Sequence, residues 1–277
     1  MTILMTVDGS DRSWNVLPHA DALAWGLNVP LHIVRVLHPL LDAGDPVGAS
    51  QSEALQLLSN RWLVELTQRA VAQGVEAEIS VEIVGRHESA EDAIVRVAGG
   101  RGVAAIAMHS RGSGRTHHAI AGSTALGVLG KWLAPMLLTG PATRSDPRAD
   151  IYRLMITNDG STDSDRSVVA FARMFTGVPI EIVLAGFALG SDLPGVEEHL
   201  ESLVPHFPEP ARVSVHAAKA GHGSALVDTI LGVAEATKAT AIAMGSHGHS
   251  TIRHLFAGST AIGVLRNSPR PVLLVPV

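Results

Sequence analysis

AIAMGSHGHSTIRHLFAGSTAIGVL, residues 241–265, predicts a strand, a glycine-rich loop and a helix in succession. Its first four residues form a short apolar run, which is typical of a buried strand. Glycines at 245 and 248 allow a sharp turn and a close approach of a ligand to the backbone. Gly-Ser-Thr at 258–260 then opens an apolar helix, where unpaired N–H groups and the helix dipole attract an anion. The stretch therefore predicts an α/β fold with an anion site, most simply a phosphate site.

Two well-known phosphate-binding loops do not fit these residues. The chain has no Gly-Lys-Ser/Thr, and the observed spacing, G-x2-G-x9-G-S, differs from the dinucleotide pattern G-x-G-x-x-G. The spacing alone leaves two readings open, a loop that binds a ligand and a turn that binds nothing.

The chain contains an internal repeat of this stretch. Residues 102–129 and 238–265 align without a gap and are identical at 15 of 28 positions. Asp8-Gly9-Ser10 near the start is likewise repeated as Asp159-Gly160-Ser161. The distance between the two aligned stretches makes each copy about half of the 277-residue chain. This length matches an ordinary domain and is too long for a solenoid unit. We therefore predict two homologous domains, 1–142 and 148–277, joined near the proline-containing segment 141–149.

Strands and helices alternate along both halves. Apolar or alternating segments predict ten strands, five in each half, at 2–7, 31–37, 75–84, 103–108, 135–139, 153–157, 180–185, 213–218, 240–244 and 271–275. Helices are predicted between them, at 12–25, 53–72, 88–98, 123–132, 163–175, 196–204, 224–236 and after 258. This alternation predicts an α/β fold in which each half is a five-stranded, mainly parallel sheet flanked by helices. Ligands of such sheets bind at the carboxyl ends of the strands.

The spacing G-x2-G-x9-G-S resembles the nucleotide-binding signature of the universal stress protein family, and the ending SPRPVLLVP at 268–276 resembles that family's last strand. The family's domain is a Rossmann-like (HUP-type) α/β sandwich, and many members bind ATP. The resemblance implies that glycine backbone and a serine hydroxyl hold ribose and phosphates, and that an aspartate contacts the nucleoside. The residues it implicates in the second half are Asp159, Ala185, Gly245, Gly248, Gly258, Ser259 and Thr260.

The first half carries the same pattern with one departure. The matching residues are Asp8, Val36, Gly112, Gly122, Ser123 and Thr124. His109 stands where the first glycine of the motif belongs, and its side chain can occupy the space of a ribose or phosphate. The two aspartates also have a simpler reading, as turn and helix-cap residues.

Composition restricts the class of protein. The 277 residues include no cysteine, which excludes disulfides and thiolate metal sites, and the net charge of -5 disfavours nucleic acid as a partner. No apolar run approaches the length of a membrane span, and the amino-terminal residues lack the basic region of a signal peptide. We therefore expect a cytoplasmic protein.

Histidines and arginines cluster in the two glycine loops. His247 and His249 are spaced as a metal pair could be, but the loop has no acidic residue, so we predict no metal site. A polar environment for phosphate, together with Arg253 and with Arg111 and Arg115 of the first half, is the preferred interpretation. An exposed loop without function is the alternative. No catalytic residues are assigned, because Ser259 has no base and acid that the spacing identifies.

The leading hypothesis is a tandem universal stress protein that binds ATP, with Mg²⁺, and acts as a regulator in a stress response. The resemblance implies that the two halves pair through their last strands, and that two chains associate into a dimer with an unidentified regulatory protein as a further partner. A nucleotide-free interaction scaffold and a weak ATPase are the alternatives. An enzyme is disfavoured, with slow ATP hydrolysis as the upper limit.

Overall fold

A computed structural model describes residues 1–39, 42, 50–85, 87–110, 122–144, 151–246 and 258–276. Ten strands are present in this part of the chain: β1 (Thr2–Val7), β2 (Leu31–Leu37), β3 (Glu78–Ile83), β4 (Val103–His109), β5 (Met136–Thr139), β6 (Arg153–Asn158), β7 (Glu181–Ala188), β8 (Arg212–Lys219), β9 (Ala241–Ser246) and β10 (Val272–Pro276). The α-helices are α1 (Leu17–Leu27), α2 (Gln51–Ala72), α3 (Ala90–Gly100), α4 (Ser123–Leu129), α5 (Thr162–Met174), α6 (Leu193–Leu203), α7 (Ser224–Ala236) and α8 (Ser259–Asn267). None of these helices is long and apolar enough to cross a bilayer.

All ten strands form one sheet, in the order β3-β2-β1-β4-β5-β10-β9-β6-β7-β8. Strands within each half are parallel, and the two halves meet where β10 runs antiparallel to β5, with Val272 opposite Leu138. The predicted α/β class, with five mainly parallel strands per half, is confirmed. The pairing of the halves through their last strands is also observed. In each half the strand order reverses beside the first strand, which places a switch point between β1 and β4 and another between β6 and β9.

Helices cover both faces of the sheet. One apolar core lies under α1, α2, α5 and α6 and includes Leu23, Leu66, Phe171 and Leu200. The other lies under α3, α4, α7 and α8. Both cores contain residues from both halves, so the chain buries a continuous core across the junction.

Close backbone packing joins the two halves. Gly140 follows β5, and a Cβ atom there would lie 1.8 Å from the carbonyl oxygen of Leu265 in α8. Nε2 of His19 lies 2.8 Å from the carbonyl oxygen of Arg144, and the backbone N–H of Arg144 donates to the carbonyl oxygen of Pro269. These contacts tie the segment after β5 to both halves.

The first predicted helix, 12–25, is wrong in its character and in its bounds. Residues Asp11–Val16 form a 3₁₀ helix, and the α-helix begins only at Leu17. Pro18 supplies the reason, because it has no N–H to donate to the carbonyl four residues earlier and therefore favours the first turn of a helix. The helix ends at Leu27, where Asn28 adopts the left-handed conformation.

The other element bounds differ by smaller amounts. The helix predicted at 123–132 ends at Leu129, and the third strand begins at Glu78 instead of residue 75. The helix predicted at 196–204 begins three residues earlier, because Asp192 accepts a hydrogen bond from the backbone N–H of Gly195 and caps it.

A buried histidine predicts a pH-dependent stability. His32 in β2 is 1% exposed, and its Nε2 lies 2.8 Å from Oγ of Ser80. Burial, with a smaller contribution from Arg101, lowers the pKa of His32 below its ordinary value. The unfolded chain therefore takes up a proton near pH 6.5 that the folded chain resists, so stability falls as the pH drops below that point. In urea unfolding at pH 7.5 and 5.5, we expect His32→Gln to lose less stability than the unaltered protein. The exposed His206→Gln control should lose as much as the unaltered protein; an equal loss in all three would contradict the assignment.

Candidate functional site

A cavity opens at the carboxyl edge of the second half, where β6 lies beside β9. It encloses about 250 Å³, which approaches the lower end of the ligand-site range of about 300–1,000 Å³. Its described lining comes from the ends of β6, β7 and β9 and from the facing turns of α5, α7 and α8. These residues are Thr157, Asn158, Asp159, Asp163, Ser164, Ser167, Phe187, Leu189, Leu226, Ile230, Met244, Gly245, Gly258, Ser259, Thr260 and Ala261.

The turn after β6 brings an acidic side chain to the cavity. Oδ1 of Asp159 accepts a hydrogen bond from the backbone N–H of Ser161 at 3.0 Å, and Ser161 caps α5 by accepting from the N–H of Ser164. Gly160 between them has a φ of +79°, a conformation that favours glycine. Asp159 thus combines the turn role of an aspartate with a position on the cavity wall.

The start of α8 offers donors for an anion. Gly258 is the N-cap residue and provides no side chain to accept from the first N–H groups of the helix. The next residues, Ser259 and Thr260, add two hydroxyl groups to the same end of the cavity. Uncapped N–H groups, hydroxyls and the positive end of the helix dipole together suit a phosphate.

Part of the described cavity lining is apolar. Phe187 is the next-to-last residue of β7, Leu226 and Ile230 belong to α7, and Met244 belongs to β9. Ile230 and Met244 are buried and belong to the core under α7 and α8. An apolar wall beside a polar end suits a flat aromatic base joined to phosphates.

Two carboxylates, Asp159 and Asp163, lie among the described lining residues, and histidine is absent from that set. Asp163 is 3.2 Å from Nη1 of Arg166 one turn along α5. No cluster of three or more metal-binding side chains is present in the described part of the chain. The described lining therefore lacks a Ser-His-Asp arrangement.

The structure gathers most of the residues predicted for the second half. Asp159, Gly245, Gly258, Ser259 and Thr260 line one cavity. Ala185 is fully buried in β7, two residues before the lining residue Phe187. Gly248 lies outside the described residues, as do His247, His249 and Arg253.

Sequence reasoning missed the lining residues that α5 and α7 contribute. Asp163, Ser164 and Ser167 lie in the first turns of α5, and Leu226 and Ile230 are one helical turn apart in α7. The helical spacing of Leu226 and Ile230 was visible in the sequence. That these residues face a cavity at the sheet edge, and not only the core, depends on how α7 packs.

The first half repeats the aspartate turn and the glycine helix start, and it differs at His109. Asp8 accepts from both the N–H and the hydroxyl of Ser10, and Gly122 is the N-cap of α4, with Ser123 and Thr124 in its first turn. Nδ1 of His109 lies 2.9 Å from Oγ1 of Thr139 in the neighbouring strand β5. Val36 is half-buried in β2. Gly112, Arg111 and Arg115 lie outside the described residues.

An arginine under the first-half turn was not predicted from the sequence. The guanidinium of Arg35 lies 3.8 Å from the ring centre of Trp62 in α2 and 3.4 Å from Oδ1 of Asp42. A Cβ atom at Gly9 would meet Nη1 of Arg35 at 2.3 Å. Burial lowers the pKa of Arg35 from its usual value. This packing beneath Gly9 distinguishes the first half from the second, where a Cβ atom at Gly160 would meet none of the described atoms within 4 Å.

Two solved structures have the same fold over nearly the whole chain. A universal stress protein from Archaeoglobus fulgidus DSM 4304 is 22% identical, with a TM-score of 0.69 over 99% of this chain and 98% of that one. A protein of Pseudomonas aeruginosa UCBPP-PA14 assigned to the universal stress proteins is 16% identical, with a TM-score of 0.57 over 99% and 92%. A universal stress protein in complex with cAMP is 21% identical, with a TM-score of 0.36 over 46% of this chain and 98% of that one. No curated protein matches the chain.

The model of one protein family matches two segments of the chain, residues 1–139 and 211–276. The matched segments contain both copies of the glycine loop and all five strands of the first half. Because they make up well over half of the sequence, the chain belongs to the universal stress protein family.

Proposed function

We propose that the second half of this chain binds ATP together with Mg²⁺, and that nucleotide occupancy regulates the protein in a stress response. The observation that carries the proposal is the convergence, on one cavity, of Asp159, the uncapped start of α8 and an apolar wall. Such a combination offers an apolar surface for a base and hydrogen-bond donors for phosphates.

Each part of the nucleotide has a matching part of the cavity in this proposal. The base lies against Phe187 and Ile230, the ribose lies near Asp159, and the phosphates lie at the N-terminus of α8. Asp159 lines the same cavity as the N-terminus of α8, and its carboxylate would repel nearby phosphate oxygens without a cation between them. Mg²⁺, which usually binds carboxylates together with nucleotide phosphates, removes that conflict.

The first half is the second candidate site, with Asp8, Val36, Gly112, Gly122, Ser123 and Thr124 as its residues. His109 and its contact to Thr139 favour a first half that serves as an interaction scaffold. In the second half, Gly245 and Val275 take the places of this pair. We expect nucleotide in the second half alone.

The remaining parts of the proposal concern assembly and chemistry. We infer that the protein acts in the cytoplasm, that two chains associate into a dimer and that an unidentified regulatory protein responds to the bound nucleotide. Slow ATP hydrolysis is the upper limit of its chemistry, because the described lining holds no candidate nucleophile and base in contact.

A count of bound nucleotide tests the proposal. Freshly purified protein is denatured, and the released small molecules are identified by chromatography and mass spectrometry. We expect about one adenine nucleotide per chain, or, if none is retained, binding of about one added ATP with Mg²⁺ by calorimetry. Two per chain would extend the site to the first half and show that His109 is tolerated. No retained nucleotide and no binding of ATP would refute the proposal and favour the scaffold alternative.

A further inference from the structure

A chain of polar contacts links α6 to the turn that carries Asp159. Nε2 of His199 lies 2.9 Å from Oδ1 of Asp165 in α5. The same oxygen accepts from Nδ2 of Asn158 at 2.8 Å. Oδ1 of Asn158 in turn accepts from the backbone N–H of Gly160 at 2.7 Å. The contacts therefore run from a helix on the face of the sheet to the backbone of the cavity turn.

The chemistry of the groups fixes the direction of each bond. A backbone N–H can only donate, so the oxygen of the Asn158 amide faces Gly160 and its nitrogen faces Asp165. The ionised carboxylate of Asp165 can only accept, so His199 donates from Nε2. The three hydrogen bonds are therefore compatible with one another and can form at the same time.

Burial makes Asn158 dependent on these partners. The residue is 3% exposed, and a buried amide that loses a partner is left with an unsatisfied polar group. Asp165 is the described side chain that holds the amide nitrogen, and the Gly160 N–H fills its oxygen. The orientation of Asn158 and the conformation of Gly160 are therefore coupled.

The first half lacks this arrangement. Aligning Asp8 with Asp159 places Val7 opposite Asn158 and Trp14 opposite Asp165, and both first-half side chains are buried in the apolar core. The polar chain also lies within residues 140–210, outside the two segments that match the family model. It is thus a property of the second half of this chain.

We propose that Asn158, held by Asp165 and through it by His199, positions the Asp159–Ser161 turn for the nucleotide. The three side chains act as positioning residues, because they hold the turn in its bound shape before ligand arrives and so reduce the ordering that binding requires. This inference rests on the proposed nucleotide site in the second half. It adds α6 to the elements that determine affinity there.

The test combines ATP affinity with the exchange of one amide proton. Asn158→Val introduces the first-half residue, and Asp165→Leu removes the acceptor. In both variants we expect the Gly160 N–H of the nucleotide-free full chain to exchange about 3- to 10-fold faster by NMR. We expect ATP to bind about tenfold more weakly by calorimetry. Asp165→Asn keeps an oxygen that accepts from Asn158, so it should retain near-wild-type affinity, and His199→Leu should weaken binding by less than Asp165→Leu.

Val168→Ala is the control for general destabilisation. Val168 lies on α5, is fully buried in the core under that helix and lies outside the cavity lining. It should lower the melting temperature without changing ATP affinity or the exchange of Gly160. Wild-type affinity in Asn158→Val and Asp165→Leu, or an unchanged Gly160 exchange rate, would overturn the positioning role while the nucleotide site stands. Absence of ATP binding by the unaltered protein would instead refute the proposed function and, with it, the role given to this turn.

Discussion

Gly140→Ala should destabilise the protein by about 3 kcal/mol or more, at the upper end of what overpacking costs. The added Cβ atom would lie 1.8 Å from the carbonyl oxygen of Leu265 and 3.0 Å from its carbonyl carbon. Backbone atoms of a helix cannot turn aside as a flexible side chain can. Relief therefore requires α8 to move away from β5, which disturbs the junction of the two halves.

Thermal unfolding is the measurement, with Gly99→Ala as the matched control. Gly99 lies in α3, and a Cβ atom there would have no neighbour within 4 Å among the described residues. Alanine at this exposed helical position should stabilise the protein by about 0.5–1 kcal/mol. We expect the Gly140 variant to melt about 6–12 °C lower than the unaltered protein. A melting temperature equal to that of the Gly99 variant would show that the junction is not tightly packed at Gly140.

Asp159→Ala should weaken the binding of ATP with Mg²⁺ by about 10- to 100-fold, the usual effect of deleting one hydrogen bond to a charged group. Asp159 lines the cavity, and its other role is to accept from the N–H of Ser161. Asp159→Asn separates the two roles, because asparagine retains an oxygen for Ser161 and loses the charge. We expect its affinity to lie between those of the alanine variant and the unaltered protein.

Asp8→Ala makes the same truncation in the first half, where Asp8 accepts from Ser10 in the equivalent turn. With nucleotide in the second half alone, calorimetry should give the Asp8 variant the affinity and stoichiometry of the unaltered protein. A comparable loss in both variants would place nucleotide in both halves. Full ATP affinity in Asp159→Ala would remove that residue from the site.

Local pattern was sufficient to predict the sheet. The buried strands are short apolar runs between turn residues, and AIAM occurs at the core of both β4 and β9. The internal repeat then indicates that the two halves share the same order of strands and helices. The glycine motif located the start of α8 and the end of β9, two of the three elements that carry the polar end of the cavity.

Contacts between distant residues were beyond the reach of the sequence. His199 and Asp165 are 34 residues apart and lie on different helices. Arg35 lies next to Trp62 because α2 packs against β2. The spacing of residues in the sequence does not reveal that packing. The 3₁₀ segment before α1 is different in kind, because Pro18, which has no N–H, marks the start of α1 in the sequence itself.

The antiparallel pairing of β5 with β10 occurs within one polypeptide. If separate chains formed this interface, the fraction associated would depend on protein concentration, and the chains would dissociate on dilution. A covalent link instead holds the two partners at an effective concentration on the order of millimolar. The strand pairing beside the cavity is therefore independent of protein concentration. Occupancy of the cavity would then depend on the concentration of its ligand and not on the number of protein molecules in the cell.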